Sequence, residues 1–134
     1  MSKNQIKNLA DELVSKLKGQ GFNILRYDAY STNSVYLKLD YGVCNTIRIS
    51  DHEGKKHLQY RYNLIIGGEV NIIEDKYIRY YFNDQSVDIM VNQILFDRRA
   101  KVSQYGIFNY RKFMQKNMVE HSKDAGFWSQ AKQV

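Results

Sequence analysis

The hydrophobic period of this chain changes twice along its length, and no other feature constrains the fold as tightly. Ile6, Leu9, Leu13 and Leu17 recur at spacings of three and four, with Lys3, Lys7, Asp11, Lys16 and Lys18 mostly on the other faces. Ser2 and Gln5 fit a capping box. Gly19, with Gly21 close behind, offers the φ > 0 position at which helices end, so the spacing predicts a helix over residues 3–18. The period then becomes two. Val35, Leu37 and Leu39 alternate with Tyr36, Lys38 and Asp40, and after a break at Tyr41-Gly42, Ile47 and Ile49 alternate with Thr46, Arg48 and Ser50, which reads as an antiparallel hairpin. Asn23 to Tyr30 forms a weaker strand pattern, closed by the polar turn Ser31 to Ser34. Tyr60, Tyr62, Leu64 and Ile66 alternate with Gln59, Arg61 and Asn63. Gly67-Gly68 suits a two-residue turn into Glu69 to Ile73, and Tyr77 to Phe82 makes a last strand. Connections of hairpin length favour an antiparallel sheet of about five strands.

The helical period returns at residue 87. Val87, Met90, Val91, Ile94 and Leu95 share one face behind a cap at Asn83 or Asp84, with Asp88 in the first turn and Arg98 and Arg99 in the last. Tyr105-Gly106 is a break, after which Ile107, Tyr110, Phe113, Met114 and Met118 predict a third helix ending near His121 or Ser122. The expected architecture is α+β: an N-terminal helix on an antiparallel sheet, then a long helix and a basic helical C-terminal region. No linker rich in Pro, Gly or Ser divides the 134 residues, a length that suits one domain, 1–134.

Composition narrows the classes of function. Hydrophobic residues at 43 % and charged residues at 25 % exclude a disordered chain. No stretch reaches the roughly 18 apolar residues of a membrane span, and Met1 to Gln5 lacks a signal peptide's apolar core, so a cytoplasmic protein without a membrane partner is expected. One cysteine, Cys44, excludes an internal disulfide and a cysteine-rich zinc site; beside Val43, with no base adjacent in sequence, it reads as a small buried hydrophobe.

The densest polar cluster is Ser50-Asp51-His52-Glu53-Gly54-Lys55-Lys56-His57. Three consecutive residues cannot align as a nucleophile, base and orienting acid. Metal binding at Asp51, His52 and His57 would serve a hydrolase, but the imidazoles stand five apart where the helical zinc motif needs four. A turn in which Ser50 and Asp51 accept backbone N–H bonds is the simpler reading. Gly67-Gly68 lacks the Gly-Lys-Ser/Thr ending of a phosphate loop. No catalytic residue, cofactor or metal ligand is therefore assigned, and the chain is expected not to be an enzyme.

The eleven tyrosines, interleaved with arginine in Tyr60-Arg61-Tyr62 and Tyr77 to Tyr81, could stack nucleobases, or could be ordinary strand residues with packed rings. Charge is the stronger signal. Residues 1–96 carry 12 Lys and Arg against 11 Asp and Glu, whereas residues 97–134 carry 8 against 3, so five of the six net positive charges lie in the last segment. Arg98, Arg99, Lys101, Arg111, Lys112 and Lys116 make the candidate contact surface, suited to phosphates or to the anionic surface of a larger machine.

Ser34 to Leu37, the block Ile47-Arg48-Ile49-Ser50-Asp51-His52, Tyr62 to Ile65, and Tyr80-Tyr81 running into the capped helix together resemble small proteins of phages and mobile elements in Gram-positive bacteria. Some of these are anti-CRISPR proteins directed at Cas9. The likeness spans residues 34–95, with the Ile47 to His52 block its most specific element, and the basic segment lies outside it. The resemblance implies a phage-type inhibitor that binds a CRISPR nuclease of the Cas9 type, or its guide-RNA complex, in the host cytoplasm. The alternative is a small basic DNA- or RNA-binding regulator using the same six cations.

Overall fold

The computed structural model describes residues 3–29, 33–52, 60–70, 78–120 and 130–134. α1 (Lys3–Gly19) buries Ile6, Ala10, Leu13, Val14 and Leu17, with Leu9 packed at the edge of the same core. Gly21, not Gly19, supplies the positive φ (+86°) that ends it, as the amides of Gln20, Gly21 and Phe22 fold back onto the carbonyls of Leu17 and Lys18 at 2.9–3.2 Å. The expected cap at Ser2 lies outside the described residues.

β1 (Ile24–Asp28), β2 (Val35–Leu39), β3 (Asn45–Ser50), β4 (Tyr62–Ile65), β5 (Tyr80–Phe82) and β6 (Lys132–Gln133) form one sheet in the order β5-β4-β3-β2-β1-β6. The β2–β3 hairpin has the register its alternation demands, with Val35 opposite Ile49 and Leu37 opposite Ile47. β1 pairs antiparallel with β2 and with β6. The other half of the sheet corrects the sequence reading, because β3–β4 and β4–β5 are parallel. Both neighbours of β4 are then occupied by parallel strands, which leaves no place for a hairpin mate after Gly67-Gly68. The turn itself exists, with Gly67 at φ +74° and the Gly68 amide donating to the Ile65 carbonyl at 3.1 Å, but the chain leaves the sheet there. Glu69 and Val70 are not in a strand, and residues 71–77 lie outside the described residues. β4 also carries the mark of an interior parallel strand, since Tyr62, Asn63 and Leu64 are buried in succession.

One face of the sheet, carrying Val35, Leu37, Leu39, Ile47, Ile49, Tyr62, Leu64 and Phe82, packs with α1 and with α2 (Val87–Tyr105) in a single hydrophobic cluster. Lys16 of α1 reaches Asp88 of α2 at 2.6 Å across this layer. α3 (Ile107–Glu120) follows Gly106 directly and rests on α2 and on the turn Asp40–Gly42, away from that core. No helix among the described residues is long and apolar enough to cross a membrane.

Candidate functional site

The start of α2 differs in detail from its expected cap. Asn83 builds the turn ahead of the helix, its Oδ1 accepting from the Gln85 amide at 3.1 Å and the Ser86 hydroxyl at 2.8 Å, and Ser86 takes the cap position. Asp84 accepts from the Gly67 amide at 3.2 Å instead. From Val87 the helix continues past Arg98, Arg99 and Lys101 to Tyr105, one to two turns beyond the end its basic residues suggested.

The six candidate cations separate into inward and outward sets. Arg98 lies under the helices. Its Nε pairs with Asp40 Oδ2 at 2.8 Å, its terminal nitrogens donate to the carbonyls of Gln20 and Gly21 at 3.3 and 3.2 Å, and its guanidinium stacks 4.1 Å from the centre of the Phe22 ring. Lys101 Nζ donates to the carbonyls of Val43 and Cys44 at 2.8 and 3.2 Å, and burial lowers its pKa. These two charges are engaged in holding α2 to the loops beneath it.

The carboxylate that meets Arg98 anchors an unusual turn. Asp40, Tyr41 and Gly42 have φ of +51°, +55° and +88°, a left-handed run that costs free energy at the two non-glycine positions. Asp40 is fully buried; besides Arg98, its side chain accepts from the Tyr110 hydroxyl at 2.5 Å and from the Asn23 amide at 3.0 Å. Asn117 of α3 donates to the Tyr41 carbonyl at 2.9 Å. Tyr110 is thus the one fully buried residue of α3, drawn in by a carboxylate rather than by an apolar stripe. Asp97 of α2 repeats the device, accepting from the Tyr62 hydroxyl and from Arg61 Nε and Gln93 Nε2, both at 3.2 Å. Burial first, and then these hydrogen bonds, push both tyrosine hydroxyls far above the usual phenol range. Cys44 is fully buried nearby, and burial together with the charge of Asp40 pushes its thiol up to about 12, which leaves it protonated and unreactive at neutral pH.

Arg99, Arg111, Lys112 and Lys116 face outward and are exposed. Lys116 pairs with Glu120 at 3.9 Å, Lys112 Nζ lies 4.8 Å from the centre of the Phe108 ring, and neither Arg99 nor Arg111 forms an ion pair with a described residue. Sequence reasoning missed their companions. Phe96 is 67 % exposed, Phe108 69 % and Ile107 51 %, although Ile107 belongs to the apolar spacing that predicts the third helix. That helix rests chiefly on α2 and on the Asp40–Gly42 turn, and apart from Tyr110 and the half-buried Met114 its apolar side chains are exposed. Phe96 and Phe108 sit where the apolar stripes of their helices call for polar residues, which is the one signal that could have marked them. Arg98, Arg99, Val102 and Ser103 of α2 and Ile107 and Tyr110 of α3 bound an open groove of about 400 Å³ between the helices.

Of the candidate metal set, Asp51 and His52 are among the described residues and His57 is not. Arg48 is buried, and its Nη2 donates to Ser50 Oγ and to the His52 carbonyl, each at 3.1 Å, while Ser50 Oγ accepts from the His52 amide at 3.2 Å. The Ile47 to His52 block thereby locks the end of β3. Glu53 to His57 lie outside the described residues. The tyrosines do not share one stacking face: Tyr62 and Tyr80 point into the core with rings 5.4 Å apart, whereas Tyr36 lies on the opposite sheet face between Tyr27 and Tyr60, at 6.1 and 5.1 Å. Tyr77 is outside the described residues. No protein-family model matches the chain, and neither does any curated protein or solved structure compared with it.

Proposed function

We propose that this protein works by binding, with no chemistry of its own, and that its partner is a CRISPR nuclease of the Cas9 type or that nuclease's guide-RNA complex, whose DNA recognition or cleavage it blocks in the bacterial cytoplasm. One observation carries the binding role: from Arg98 to Val119 the chain holds six cationic residues and no carboxylate, and the outward ones stand among exposed Phe96, Ile107 and Phe108. Charge and apolar area displayed together are what an association surface needs, the charge for steering and the apolar area for residence. The choice of partner is supported by the resemblance of the Ile47 to His52 block and its surroundings to small phage and mobile-element proteins. In this reading the basic helical C-terminal region is the contact surface, with Arg99, Arg111, Lys112 and Lys116 meeting the partner while Arg98 and Lys101 support the helix that presents them.

Size-exclusion co-elution with Cas9–guide complex, Cas9 alone and bare guide RNA tests this. Co-elution with the protein-containing samples, lost in Arg99→Glu/Arg111→Glu, is the expected result. Co-elution with bare RNA alone, weakening steeply with salt, would replace it with a nucleic-acid-binding regulator. Binding to none of the three removes the nuclease as partner.

A further inference from the structure

We propose that the groove between α2 and α3 receives an acidic, amphipathic segment of a partner protein, one apolar side chain entering against Val102 and Ile107 while its carboxylates meet Arg99 and Arg111. This deepens the binding role above and rests on it. Arg99 lines the groove on the α2 side, and Arg111 stands one turn beyond Ile107 on the α3 side. Val102 and Ile107 line it, and Arg99 precedes Val102 by three residues as Arg111 follows Ile107 by four, so each arginine stands beside its apolar partner along the helix. Tyr110 closes the floor, fully buried with its hydroxyl committed to Asp40, so the accessible apolar walls are Val102 and Ile107.

The charge distribution decides among occupants. A second copy of the chain would bring the same carboxylate-free surface, residues 98–119, against itself and oppose like charges. Among the described residues of the two helices a nucleic acid would find Arg99, Arg111, Lys112 and Lys116 on the outward side, where a protein that grips a duplex firmly makes about 6–10 phosphate contacts. A nucleic acid would also leave the aliphatic side chains unused, and Ile107 is 51 % exposed beside the groove. Exposed Phe and Arg around an apolar cleft match the composition of protein-binding surfaces.

The test is fluorescence anisotropy with a labelled peptide of repeated Glu-Leu-Phe-Glu units, its Glu→Lys counterpart, and a single-stranded DNA oligonucleotide. The acidic peptide is expected to bind and the lysine peptide not to. Ile107→Ser should weaken binding roughly fivefold through lost apolar contact, Ile107→Leu should restore it, and Arg99→Glu/Arg111→Glu should weaken it at least about tenfold. Because all three positions are exposed, the thermal melts of the variants serve as the folding control. Absence of acidic-peptide binding, equal binding by Ile107→Ser, preference for the oligonucleotide, or a dimer that occludes Ile107 would each overturn the proposal. Peptide binding without Cas9 co-elution removes the nuclease and keeps the groove. Co-elution that survives Arg99→Glu/Arg111→Glu while peptide binding is lost keeps the nuclease and overturns the groove as its contact.

Discussion

Tyr110→Phe tests whether α3 is held by a carboxylate rather than by apolar burial. The substitution deletes only a hydroxyl, one that donates to the fully buried Asp40 side chain at 2.5 Å. The ring contacts persist, so no cavity term enters. Asp40 keeps Arg98 Nε at 2.8 Å and the Asn23 amide at 3.0 Å, so its charge is not stranded. A hydrogen bond to a charged group contributes about 1.5–3 kcal/mol, and with two partners remaining we expect a loss of about 2 kcal/mol. For 134 residues, unfolding entropy of about 2.1 cal/mol/K per residue turns that into a fall in Tm of about 7 °C. Urea unfolding followed by circular dichroism would show a lower midpoint with an unchanged slope. A double-mutant cycle with Asp40→Asn should return most of the loss as coupling. A Tyr110→Phe loss below about 0.5 kcal/mol would refute the argument, as would a reduced slope, which would show α3 melting apart from the rest.

Alkaline conditions should destabilise the protein. The folded thiol of Cys44 titrates at about 12 against an ordinary 9.0, and Tyr62 and Tyr110 are likewise raised. Between the unfolded and folded values the native state holds more protons than the unfolded one, so their contribution is intact below pH 9 and shrinks as pH rises, by up to about 1.4 kcal/mol per pH unit per group. Lys38 and Lys101 have the opposite sign, being lowered by burial, while Tyr60 and Lys16 are raised and act with the other three; urea midpoints that stay flat or rise above about pH 9 would contradict this. Arg99→Glu/Arg111→Glu should change stability by less than about 0.5 kcal/mol, since both side chains are exposed, and a calorimetric Tm drop of several degrees would show that one of them supports the fold. Gly106→Ala should cost about 1–3 kcal/mol, because Gly106 holds φ +81° and ψ 148°, a conformation that L side chains rarely adopt whatever the space around it; an unchanged Tm would mean that the joint tolerates a different angle.

The elements whose stabilisation is local were readable in advance. α1, the β2–β3 hairpin and the break at Gly106 follow from period and glycine alone, and the structure places them within a residue or two of expectation. The parallel half of the sheet was not readable, because alternation reports which face a residue occupies and says nothing of strand direction. The consecutive burial of Tyr62, Asn63 and Leu64 depends on neighbours distant in sequence. The cationic segment was visible as a count, but the count could not separate Arg98 from Arg99. That distinction arises because the buried carboxylate of Asp40 draws one of two adjacent guanidinium groups inward. Likewise, the exposure of Ile107 and Phe108 depends on α3 resting on α2 and the Asp40–Gly42 turn, which no helical period encodes.

A joint of one residue makes the direction of α3 a question of phase. Inserting a single residue after Tyr105 would rotate everything beyond it by about 100° and advance it about 1.5 Å. Tyr110 would leave Asp40, and Phe108, Lys112 and Arg111 would be re-aimed without the loss of any side chain. If the outward face of α3 is the contact surface proposed above, the length of this corner shapes that surface as firmly as the residues on it. A lineage could then re-aim the face by changing the spacing, provided a different aromatic residue came round to meet the buried carboxylate.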